Sequence, residues 1–84
     1  MKLSPRVLYQ EIAGESVLLD LASEQYFGLN AVGTRVWRCL ESGLDLESII
    51  RAVESEFAVD SATARADIQA LLRQLLEAGL IVAD

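Results

Sequence analysis

The chain contains no histidine. That removes the commonest general base, the Ser-His and Cys-His nucleophile pairs and the commonest metal ligand. A single cysteine, Cys39, excludes a disulfide within the chain. The protein is therefore expected in a reducing compartment, the cytoplasm. Cys39 falls in a helical segment two residues after Trp37, with no imidazole to activate it, and reads as a small buried hydrophobe. Proline occurs once, as Pro5, and the five glycines are scattered. No linker, low-complexity stretch or Gly-rich phosphate loop results. No apolar run approaches the roughly 20 residues of a membrane-spanning helix. The start, Met1-Lys2-Leu3-Ser4-Pro5, does not read as a signal peptide. A metal site would have to rest on carboxylates alone. Glu54 and Glu56 point apart on a helix, and Glu11 and Glu15 bracket a turn. All four are expected as solvated surface charges, so neither metal nor cofactor is expected.

Positive charge is also scarce. The formal net charge is −6. The basic residues Lys2, Arg6, Arg35, Arg38, Arg51, Arg65 and Arg73 are spread along the chain and form no run that would displace counterions from phosphates. The same balance disfavours an anionic membrane surface. Neither nucleic acid nor membrane is expected as a partner, whereas a neutral or basic peptide is compatible.

What the sequence does have is apolar residues, 52% of 84. That suffices for one domain spanning 1–84 with one modest core, and leaves a surplus for a partner. The stretch from Val7 to Ile12 is rich in β-branched and aromatic types and predicts a strand. Glu15 to Leu21 predicts a second, joined through the short Ala13-Gly14 turn. After a turn at Ala22 to Gln25, Tyr26 to Leu29 predicts a brief third strand. Asn30 can cap a helix over Ala31 to Leu40, with Val32, Val36, Trp37 and Leu40 at helical spacing. Asp45 can cap a second, with Leu46, Ile49, Ile50, Val53 and Phe57 on one stripe. Asp60 or Ser61 opens a third that runs to about Ala78, where Gly79 ends it. Leu80 to Val82 can pack back as a short extended tail. The fold class is α+β: a three-stranded antiparallel sheet followed by three helices, in a winged helix-turn-helix-like order.

Such an order allows DNA binding through the third helix. That helix offers Arg65 and Arg73 against Asp60, Asp67 and Glu77, a poor match to a phosphate-lined groove. No base for an enzyme can be found, so no enzymatic activity is expected. Peptide binding fits better. The third strand, Gln25 to Leu29, ends the meander, and no Lys or Pro blunts its edge. An extended peptide could add there as a further strand, with the third helix as the opposite wall. The same edge could instead pair two copies into a dimer. At about 100° per residue, Ala64, Ile68, Leu71 and Leu75 centre on the core. Asp67, Ala70, Gln74 and Ala78 form one flank, and Arg65, Gln69, Leu72 and Leu76 the other. Spacing alone leaves open which flank meets the strand.

The run Leu18-Leu19-Asp20-Leu21, then Tyr26-Phe27-Gly28-Leu29-Asn30-Ala31-Val32-Gly33 and Val36-Trp37-Arg38-Cys39-Leu40, resembles the PqqD family, named for pyrroloquinoline-quinone biosynthesis protein D. Asp67, Leu71-Leu72, Leu75-Leu76 and Ala78-Gly79-Leu80-Ile81 extend the resemblance over nearly the whole chain. It implies a RiPP recognition element: a non-catalytic, winged-helix-like domain that binds the leader of a ribosomally made precursor peptide. It further implies a groove between Gln25, Tyr26, Phe27, Gly28 and Leu29 on one side and Asp67, Ala70, Leu71 and Gln74 on the other. Tyr26, Phe27 and Gly28 would pair through their backbones, Asp67 would make a polar contact, and Leu71 would line the floor. Tyr26 could equally be a packing residue. Overall similarity favours the stand-alone leader-binding protein of lasso-peptide pathways, whose partners are the precursor leader, a separate leader peptidase and a cyclase. The alternative within the family is the quinone pathway, where the partner is a radical enzyme. The groove is expected to prefer a leader with an aromatic or apolar anchor.

Overall fold

A computed structural model describes residues 1–83. In chain order the elements are β1 (Lys2–Leu3), β2 (Val7–Ile12), β3 (Glu15–Asp20), β4 (Gln25–Leu29), α1 (Ala31–Glu41), α2 (Leu46–Phe57), α3 (Ser61–Glu77) and β5 (Ile81–Val82). The predicted meander is present as an antiparallel sheet in the order β2-β3-β4. The expected third strand is thus β4. The extended tail does pack back, and it finds a partner not anticipated from the sequence. Lys2 and Leu3 pair with Val82 and Ile81 in a second, two-stranded sheet, and the Ser4 N–H donates to the Leu80 carbonyl at 2.9 Å. Two-residue strands carry too little pattern to be read locally.

The turns follow from their residues. Ile12 pairs with Glu15, leaving Ala13 and Gly14 as a two-residue loop. Both have positive φ, 55° and 84°, the requirement of the hairpin turn whose twist matches that of its strands. The β3–β4 loop is organised by Asp20, which is only 3% exposed. Its Oδ1 accepts from the Ala22 N–H at 3.0 Å and from Arg6 Nε at 3.1 Å, and its Oδ2 from the Ser23 hydroxyl at 3.0 Å. The Ala22 N–H, ahead of Ser23 and Arg6, holds the Asp20 carboxyl below the usual carboxylate range.

All three helices open on a side-chain cap, Asn30, Asp45 and Asp60, each accepting from the N–H three residues on. Helices α1 and α3 close alike. Leu44 N–H reaches the Cys39 carbonyl, and Leu80 N–H the Leu75 carbonyl, while Gly43 and Gly79 take positive φ. This is the glycine-dependent C-terminal motif that satisfies the last carbonyls. It also turns Leu80 into the core, where it is fully buried.

Alternation puts Ser16, Leu18 and Asp20 on the buried face of the sheet. Leu18 meets the core of Val36, Trp37, Ile49, Val53, Ile68, Leu72, Leu75 and Ile81. A buried hydrogen bond of 2.8 Å between the Ser16 and Thr34 hydroxyls ties β3 to α1. The Tyr9 ring stacks on Trp37 at 6.2 Å, and its hydroxyl donates to Glu11 at 2.7 Å. Burial, and then Glu11, push the Tyr9 phenol up to about 12. Glu11 also lies 3.7 Å from Arg38. Glu11 stays an exposed surface charge, as expected, and gains these two partners there.

Candidate functional site

β4 is an edge strand, paired to β3 alone. The direction of its free backbone groups follows from the register. The two-residue hairpin makes Ile12 and Glu15 a hydrogen-bonded pair, so Glu15, Val17 and Leu19 bond toward β2. The Leu21 N–H continues the series by donating to the Arg6 carbonyl. Ser16, Leu18 and Asp20 then bond toward β4, opposite Leu29, Phe27 and Gln25. On the outer edge, the N–H and C=O groups of Tyr26 and Gly28 face open space. This is a short template for one more strand. The N–H and C=O groups of Phe27 are turned to Leu18 of β3, which corrects the expectation that Phe27 would pair with a peptide through its backbone.

The wall beyond that edge is α3. The structure decides the question of the flank. Asp67, Ala70, Leu71 and Gln74 line a 430 Å³ hollow together with Gly28, Leu29, Asn30, Val32 and Gly33. A contiguous hollow of 480 Å³ joins Gln25, Phe27, Gly28 and Leu29 to Leu71, Gln74, Glu77 and Ala78. The two form one trough along the length of β4. Leu72 is buried and Leu71 only half-buried, so the core-facing line runs Ala64, Ile68, Leu72, Leu75. This corrects the expected centre by a fraction of a turn. The wheel counts apolar residues without knowing where the neighbouring strand lies, and it gave Leu71 to the core.

Eight of the nine residues singled out from the sequence thus meet around the trough. Tyr26 is the exception: its side chain is 71% exposed and points to the opposite face of the sheet, leaving only its backbone at the edge. A packing role for Tyr26 is thereby overturned. Asn30, Val32, Gly33 and Glu77 were not anticipated. Gly33 offered a signal, because a Cβ there would press on Leu29 at 3.2 Å, and a larger residue would crowd the mouth of the trough.

The trough is apolar at Phe27, Leu29 and Leu71 and amide-rich at Gln25, Asn30 and Gln74. Its charged lining is Asp67 and Glu77, with no cation. A peptide with an apolar anchor and a basic residue complements it. Chemistry has little to work with nearby. Cys39 is a buried free thiol, and among the described residues no cluster of three or more His, Cys, Asp and Glu could hold a metal ion. No helix among the described residues is long and apolar enough to cross a membrane. As a DNA-reading helix α3 is further weakened, because Arg65 is held by Glu47 at 2.8 Å.

Solved structures share this fold. The chain is similar to TbiB1 in complex with the TbiA(beta) leader peptide, with 42% identity, a TM-score of 0.91 and full coverage of both chains. It is also similar to lasso peptide synthetase B1 complexed with the leader peptide, with 28% identity, a TM-score of 0.87, and 98% of this chain and 96% of that one covered. No curated protein matches the chain. The family model described as coenzyme PQQ synthesis protein D (PqqD) matches residues 15–81. Since that match runs from β3 through all three helices into the closing strand, the chain belongs to the PqqD family.

Proposed function

We propose that this chain captures the leader segment of a ribosomally made precursor peptide, of the lasso-peptide kind, and presents it to a separate leader peptidase and cyclase. The observation that carries the reading is the full-length likeness to TbiB1 in complex with a leader peptide. The open edge of β4 and the trough beside it support it. In this reading residues 1–84 act as a single recognition domain in the cytoplasm. The leader adds to β4 through the main chain of Tyr26 and Gly28. Its inward side chains meet Gln25, Phe27, Leu29, Asp67, Ala70, Leu71 and Gln74. Backbone bonds supply affinity without regard to sequence, and the trough supplies selection. An apolar anchor seated against Leu71 would contribute about 1.5–3 kcal/mol.

The chain itself performs no reaction in this reading and is not an enzyme. It raises the effective concentration of the precursor core at the enzymes that act on it. The family description favours one other reading, carriage of a precursor to a radical enzyme in quinone-cofactor synthesis. Titration with precursors of both kinds separates the two, since only one should bind tightly.

The test is a titration of isotope-labelled protein with the TbiA(beta) leader peptide. Saturable shifts confined to Gln25–Leu29 and the Asp67–Gln74 face of α3 are expected. A folded protein without shifts at about 1 mM peptide, a limit near −4 kcal/mol, would overturn the reading. A leader whose apolar and aromatic residues are replaced by Ser should bind far more weakly, and equal binding would remove the anchor.

A further inference from the structure

The helices cover one face of the β2-β3-β4 sheet, and the other lies open. Alternation places Leu8, Gln10 and Ile12 of β2, Val17 and Leu19 of β3, and Tyr26 and Gly28 of β4 on that open face. Several are large and apolar, with Ile12 68% and Leu8 55% exposed. The face is not flat. A 650 Å³ hollow lies over the row Gln10, Val17, Gly28, bounded by Ile12 and Asn30. Its floor at the sheet edge is Gly28, where an added Cβ would meet nothing within 4 Å. The hollow exists because a side chain is missing from the edge strand, and it opens directly onto the edge where Gly28 offers its N–H and C=O.

We infer that this hollow is a second anchor subsite, which takes a long apolar or aromatic side chain from the peptide residue that pairs with Gly28. The inference rests on strand addition to β4 and adds a recognition element on the face away from α3. Paired residues share a face of a sheet, so the residue opposite Gly28 points to the open side whether the peptide runs parallel or antiparallel. Strands lie about 4.8 Å apart, so its Cα stands about 10 Å from that of Val17, with Gly28 between. A short β-branched side chain cannot cross that gap. A Phe, Tyr, Trp, Leu or Met side chain can lie over the glycine and reach Val17 and Ile12, as aromatic residues cover edge glycines in other sheets. The peptide residues on either side point into the trough toward Phe27 and Leu71. The bound strand is therefore read on both faces, with a large apolar residue outward and apolar or basic ones inward.

The test selects binders from a displayed library of random 12-residue peptides on the parent protein, then measures the best one against Gly28→Val and Val17→Ala. Val suits a strand, and the space above Gly28 is open, so Gly28→Val should melt no lower than the parent. Selected peptides should share one aromatic, Leu or Met position. The best should lose at least tenfold in affinity on Gly28→Val and severalfold on Val17→Ala. Its own derivative with Ala at that position should bind the parent and Gly28→Val alike. Unchanged affinity on Gly28→Val, or the same loss for the Ala derivative, would overturn the subsite while strand addition stands, provided the Tyr26 and Gly28 amides become protected from exchange. Failure to select any peptide, or selected peptides that leave those amides unprotected, would overturn strand addition and the subsite with it.

Discussion

At Ala13 a β-carbon occupies a backbone conformation that L residues avoid, with φ at 55°. The hairpin demands it, because the two-residue turn formed here has positive φ at both Ala13 and Gly14, as its match to the strand twist requires. Ala13→Asn should stabilise the protein by about 0.5–1 kcal/mol, read as a rise in the urea midpoint without a change in slope. Asp20 gives a second residue-scale prediction. Its carboxyl is held below the ordinary value of 3.8 by the Ala22 N–H, the Ser23 hydroxyl and Arg6. A depressed folded pKa means stability that is present above 3.8 and is lost as pH falls through the folded value. Asp20→Asn should therefore lower the melting temperature at neutral pH and flatten the acid limb below pH 3.8. Calorimetry across pH 2–7 checks both. An unchanged acid limb would assign the acid sensitivity to other carboxylates, of which the caps Asp45 and Asp60 are also depressed, chiefly by the Ser48 and Thr63 N–H groups.

At the scale of elements, the proposed leader site joins β4 and α3, which contribute different parts. β4 offers backbone. Gly28→Pro removes one outward N–H while sparing the ladder to β3, which uses Gln25, Phe27 and Leu29. Proline is tolerated on an edge with that polarity. The variant should fold, with a far-ultraviolet spectrum like the parent's, and bind leader at least tenfold more weakly by calorimetric titration. α3 offers side chains. How much of this was legible in the sequence differs between the two. The edge position of β4 followed from element order, because the last strand of a three-strand meander has one neighbour. The trough-facing flank of α3 did not. Leu71 and Leu72 are chemically alike and lie 100° apart on the helix, so only the position of β4 separates the half-buried one from the buried one. Tyr26 keeps its expected place at the edge through its backbone, and only the packing role of its side chain is overturned. Alternation with Leu29 as a buried residue already put Tyr26 on the opposite face from Leu29, but a tyrosine in a short strand was allowed a packing role.

For the whole molecule, β1 and β5 pair residues far apart in sequence, and β5 packs on α3. The terminal motif of α3 turns the chain at Gly79, buries Leu80 and Ile81 and brings them under Leu3. Ile81→Ala should destabilise the fold by about 2–4 kcal/mol, as large-to-small changes in a packed core do. Below the melting transition it should change leader affinity little, since Ile81 lies outside the trough. A loss of affinity at a temperature where the variant is fully folded would show instead that the β1–β5 pairing sets the α3–β4 spacing. The sequence by itself determined the order of the three-strand meander and the three helices, the caps Asn30 and Asp45, and the glycine stop at Gly79. The lack of histidine set only the expectation of a binding protein. Each is a property of near neighbours along the chain or of composition. Tertiary structure alone decided the pairing of Lys2 and Leu3 with Ile81 and Val82, the contact of Glu11 with Arg38, the flank of α3 that faces β4, and the hollow over Gly28. Those depend on how twisted layers of side chains dock across distances the local pattern does not encode, where small differences in packing select among faces that look equivalent on a helical wheel.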